Sequence, residues 1–61
     1  SPFAFLRVVR LERARAELRN NGAPPVRDVA LRWGFQNASK FTRAYQQQFG
    51  ERPSQTRTRR S

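Results

Sequence analysis

Ser39, Thr42, Arg43, Gln46 and Gln47 lie within one short stretch of the chain. At about 100° per residue they share one side of a helix, opposite Phe41, Ala44, Tyr45 and Gln48. Ala38 and Lys40 sit at the borders. Hydroxyls, amides and a guanidinium are the groups that base edges in a DNA major groove require. Arg pairs bidentately with guanine, Gln pairs with adenine, and Thr offers a methyl to thymine. The solvated face of an ordinary surface helix has the same composition, so periodicity alone leaves both readings open.

Other chemistries lack their parts. The 61 residues hold no Cys and no His. That removes disulfides, zinc fingers, haem ligand sets and every Ser-His or Cys-His pair. The four acids, Glu12, Glu17, Asp28 and Glu51, are scattered among thirteen bases. No two carboxylates are placed to shift one another's pKa. No enzyme activity, cofactor or metal is expected.

The bases carry a second signal. The net charge is +9, and residues 1–23, 24–50 and 51–61 contribute +3 each. A field of that sign over a small domain favours a polyanion, either nucleic acid or an anionic membrane surface. Twelve Arg against one Lys also fits GC-rich codon usage, but codon usage does not explain the shortage of acids. Arg27, Arg32, Lys40, Arg57, Arg59 and Arg60 are expected on phosphates, with Gln47 beside them. Any one of them alone reads equally well as a solvated charge. The amides near Val26 and Arg27 offer a further phosphate site, less the two donors that Pro24 and Pro25 remove.

These residues need elements to hold them. A first helix is expected from Pro2 to Arg19, with Ser1 as N-cap and Asn20-Asn21-Gly22 as its stop. It has one apolar stripe of Leu11, Ala14 and Leu18, and a second of Phe5, Val9 and Ala16 on roughly the opposite side. Two stripes imply a helix that packs on both sides, although Phe3, Phe5 and Leu6 also read as the crowded start of one buried helix. Ala23-Pro24-Pro25 is a linker. A second helix is expected from Val26 to Trp33, with Val26, Val29, Ala30 and Trp33 on one face and Gly34 as its stop. Asn37 is the expected N-cap of a third helix, Ala38 to Gln48, closed by Phe49 and Gly50. A short helix starts near Pro53. With no apolar residue after Pro53, the tail from Thr56 to Ser61 is expected to fray.

The fold class is therefore all-α: a linker helix, a helix-turn-helix and a short C-terminal helix, homeodomain-like in layout. The segments are 1–22, 26–50 and 51–61, within one domain. No stretch is apolar enough to span a membrane. Arg7 and Arg10 break the apolar N-terminal run, so no signal peptide is read and a cytoplasmic, nucleoid location is expected. The chain opens on Ser1 rather than Met, and a longer parent protein is expected. Ser1-Pro2 and Arg52-Pro53 form a faint internal repeat of helix starts, as tandem copies of one motif would leave.

The run Val26-Arg27-Asp28-Val29-Ala30, Gly34-Phe35, Ser39-Lys40-Phe41-Thr42-Arg43-Ala44-Tyr45, Phe49-Gly50 and Pro53 carries a specific resemblance. It resembles the second helix-turn-helix of the AraC/XylS family of transcription regulators. Ser1-Pro2, Leu6-Arg7, Arg10-Leu11 and Ala14 resemble that family's linker helix. The resemblance implies double-stranded DNA as partner, with Ala38, Ser39, Thr42, Arg43 and Gln46 as base readers. It implies Gly34 as the turn glycine, and Phe35, Phe41 and Tyr45 as core. It also implies a first helix-turn-helix before Ser1, and contact with RNA polymerase through the full-length protein. Weak binding by this stretch alone follows, and the stripe of Phe5, Val9 and Ala16 should lie exposed or pair with another chain. Three departures from the pattern matter: Pro25 replaces a Ser or Thr cap, Gln46 replaces a common basic residue, and Thr56-Arg57 stand where an aromatic is usual. The last of these is expected to weaken the final helix. The rivals are a helix-turn-helix used only for protein contact, and an RNA-binding protein. The inward aromatics argue against the second, which needs exposed stacking platforms.

Overall fold

A computed structural model describes residues 2–59. The expected Ser1 cap and the Arg60 phosphate contact lie outside the described residues. Four helices follow in order: α1 (Pro2–Arg19), α2 (Val26–Arg32), α3 (Ala38–Phe49) and α4 (Pro53–Thr58). The described residues are all-α. No helix is long and apolar enough to cross a membrane.

The core is where the apolar stripes meet. Leu11, Ala14 and Leu18 from α1 bury against Val29 and Ala30 of α2 and Phe41, Ala44 and Tyr45 of α3. Val26, Trp33, Phe35 and Phe49 close its edges, half-buried. The second stripe of α1 takes no part. Phe5 is 69% exposed, Ala16 is exposed and Val9 half-buried, while Phe3 and Leu6 also face solvent. Phe3, Phe5 and Leu6 are thus not the start of a buried helix.

Two boundaries shift. α2 stops at Arg32, with Trp33 as its C-cap, because Gly34 at φ +87° already turns the chain out of the helix. α3 runs one residue further, to Phe49, before Gly50 closes it at φ +73°.

The larger correction concerns the tail. Thr56 does not fray: it is only 3% exposed, and α4 continues to Thr58. Pro53 is buried as well, and the rest of the anchor is polar. The Thr56 hydroxyl donates a hydrogen bond to Glu51. A hydroxyl has one proton, so the 2.7 Å contact to Tyr45 must be donated by the Tyr45 O–H. Arg59 pairs with the other Glu51 oxygen, and Gln55 Oε1 accepts the Arg52 N–H at 2.8 Å. Thr56, which departs from the aromatic that the resemblance implies, therefore holds the last helix by hydrogen bonds beside the buried Pro53.

Candidate nucleic-acid interface

The interface is built from the turn outward. The Gly34 N–H donates to Leu31 C=O at 3.2 Å and the Phe35 N–H to Ala30 C=O at 3.0 Å. These two bonds form a Schellman close, which needs a left-handed residue that glycine supplies without a Cβ penalty. The Arg10 guanidinium covers this glycine, within 3.7 Å of where a Cβ would stand. Three residues on, the Asn37 side chain accepts the Lys40 N–H at 2.9 Å and starts α3. Lys40 Nζ in turn donates to Gln36 Oε1 at 2.7 Å.

α3 is fixed from behind by aromatics. Phe35, Phe41, Tyr45 and Phe49 form a ladder with ring centroids 5.1, 5.6 and 4.6 Å apart, all tilted. The Arg15 guanidinium caps it, 4.7 Å above the Phe49 ring. With Phe41, Ala44 and Tyr45 turned inward, the opposite side of α3 faces out. Ser39, Arg43, Gln46 and Gln47 are exposed, and Ala38 and Thr42 are half-buried at its margin. Gln48 sits on the apolar side by periodicity but is exposed, because it lies at the rim where α1 crosses.

The residues expected on phosphates are not brought together. Arg27 is exposed in the first turn of α2, and Lys40 and Gln47 flank α3. Arg32 reaches the other way, to Glu17 at 3.0 Å, and Arg59 pairs with Glu51. Arg57 is half-buried, and its Nε and Nη2 donate to Pro24 C=O and Ala23 C=O, each at 3.0 Å. Arg57, expected on a phosphate, serves as an internal tie that anchors the linker before α2. The linker needs one, since Pro25 caps α2 with no side-chain bond.

Sequence reasoning missed Glu17. Its carboxylate accepts Trp33 Nε1–H at 2.8 Å as well as Arg32. The available signal was Trp33 itself, because a half-buried indole N–H needs an acceptor and the chain offers few acids.

A helix-turn-helix with this closure, cap and aromatic spacing matches a known family. The family model described as "Helix-turn-helix domain", of AraC type, matches residues 1–59. The chain belongs to the AraC-type helix-turn-helix family. This AraC-type domain is 33% identical over 57 residues to the "Probable thc operon regulatory protein" of Rhodococcus erythropolis. The match covers 90% of this chain and 17% of that protein, so the chain spans about a sixth of its relative's length. No solved structure matches. The AraC-type family serves DNA-binding transcription regulation.

Proposed function

We propose that this domain binds DNA sequence-specifically by laying α3 in the major groove. Ser39, Thr42, Arg43 and Gln46 meet base edges, and Ala38 offers a methyl-sized contact at the entry. Arg27, Lys40 and Gln47 hold phosphates, with Arg32 and Arg59 contributing only through their exposed ends. The observation that carries this reading is the contrast between the two sides of α3. One side is locked on an aromatic ladder. The side chains of Ser39, Thr42, Arg43, Gln46 and Gln47 make no hydrogen bond with any described residue. A rigid helix that presents unpaired donors and acceptors has what direct readout requires.

In the whole protein, the exposed Phe3, Phe5 and Leu6 of α1 seat a preceding helix-turn-helix, and the regulator recruits RNA polymerase in the bacterial cytoplasm. The domain carries no enzymatic step.

The test is selection of duplexes from a random pool by the wild-type chain and by Arg43→Ala. Loss of one bidentate base contact costs roughly 1–3 kcal/mol, or about 5- to 150-fold in preference at one position. Unchanged preference at every position, with binding retained, overturns the role of Arg43. A wild-type chain that selects no sequence even at low salt, where weak binding is strengthened, points to a helix-turn-helix used for protein contact.

A further inference from the structure

Positive charge along the edges of α3 is thinner than the net charge implies. Arg32 and Arg59 are paired with acids, Arg57 is tied to backbone carbonyls, and Lys40 shares its ammonium with Gln36. Lys40 and Gln47 lie on the same flank of α3, two turns apart, or about 10.5 Å along the axis. Lys40 supplies charge near the N-terminal end. The last turn of α3 holds no basic residue. Its free carbonyls carry partial negative charge, which repels a phosphate unless a cation stands nearby.

Arg7 stands there. It belongs to α1, and with Val8, Gln47 and Gln48 it lines an open recess of about 250 Å³ where the first half of α1 crosses the end of α3. Arg7 is exposed and has no ion-pair or hydrogen-bond partner among the described residues. We propose that Arg7 and Gln47 together hold one backbone phosphate of the strand that borders the C-terminal end of α3. The guanidinium fork takes two phosphate oxygens and neutralises the repulsion from the helix end. The Gln47 amide adds a third donor. α1 is then part of the DNA surface as well as a support for α3. This inference rests on the proposed DNA binding but not on its sequence specificity.

The experiment measures affinity against salt concentration for a duplex selected by the wild-type chain and for an arbitrary duplex of fixed sequence. Arg7→Ala should lower the slope of log K against log salt by roughly 0.9 on both duplexes and leave base preferences unaltered. Arg7→Lys should keep the slope. Arg7→Gln, which retains most of the stem against α3, should lose it as Arg7→Ala does. Helicity by circular dichroism identifies a variant that has unfolded, and Arg7→Gln then decides. A slope equal to wild type in a folded Arg7→Ala or Arg7→Gln overturns the proposal, and Arg7 then serves only the helix end. A wild-type chain that binds both duplexes equally overturns specific readout, while the slope on the arbitrary duplex still judges Arg7.

Discussion

Thr56 offers a sharp test of how this domain holds its last helix. Tyr45 is fully buried and Thr56 nearly so, and their hydroxyls meet at 2.7 Å. The chain of donors runs from Tyr45 to Thr56 to Glu51. Direction matters for the magnitudes. Tyr45→Phe removes a donor, and Thr56 keeps Glu51, so the cost is that of one neutral hydrogen bond, about 0.5–1.5 kcal/mol. Thr56→Ala strands the Tyr45 O–H in the core and removes a donor from a carboxylate. Either loss alone is worth about 1–3 kcal/mol, and about 2–4 kcal/mol is expected for both. The domain has little to lose: at 0.05–0.15 kcal/mol per residue, a chain of this length is stable by roughly 3–9 kcal/mol. Thr56→Ala should therefore lower the melting temperature by about 8 °C or more, against a few degrees for Tyr45→Phe. The double variant should cost less than the two singles together, because it contains no stranded O–H; a coupling of roughly 1 kcal/mol is expected. Urea unfolding followed by circular dichroism gives all three numbers. Equal single effects that add would show that the hydroxyls do not work in series, and the account of the tail would be wrong.

Two further perturbations test the supports of α3. Gly34→Ala meets no close atom, since the new Cβ would stand 3.7 Å from the Arg10 side chain, so its cost is the left-handed backbone alone. About 1–2 kcal/mol should be lost in thermal unfolding, and less for Gly34→Asn; equal stability of Ala and Gly would contradict the turn geometry. Glu17→Ala leaves the indole N–H of Trp33 without its acceptor, and about 1–3 kcal/mol of stability should go with it. Because Trp33 is the chain's one tryptophan, its fluorescence should shift in the folded variant, and an unmoved spectrum would count against the contact.

Much of this architecture was legible in the residues because its signals are local. Apolar spacing in Leu11, Ala14 and Leu18 and in Phe41, Ala44 and Tyr45 reports which side of a helix is buried. Asn37, Gly34 and Gly50 mark helix ends through bonds a few residues long. What escaped is polar and distant. Tyr45 meets Thr56 across 11 residues, Trp33 meets Glu17 across 16, and Arg57 reaches Pro24 across 33. No periodicity announces such pairs. A tail without apolar residues reads as loose for that reason, and Arg57 reads as a phosphate contact with no sign of its tie to the linker.

The same distinction bears on the site. An exposed polar residue and an internal tie look alike in sequence, as Arg57 and Arg43 do. The fold separates them by asking which polar groups already have partners within the chain. The side chains of Glu17, Trp33, Glu51, Thr56 and Arg57 do, and their bonds tie helices to one another or to the turn and linker beside them. Those of Ser39, Thr42, Arg43, Gln46 and Gln47 have none among the described residues, although they stand on a helix whose other side is locked in the core by Phe41, Ala44 and Tyr45. A helix braced by Phe41, Tyr45 and Phe49 holds its outward groups in a fixed pattern, which lowers the ordering cost of a specific contact. Base readout by α3, as proposed, therefore predicts a division among substitutions. Changes at Arg43 or Gln46 should alter which sequence is preferred, whereas changes at Arg57 or Glu17 should alter stability and leave preference alone.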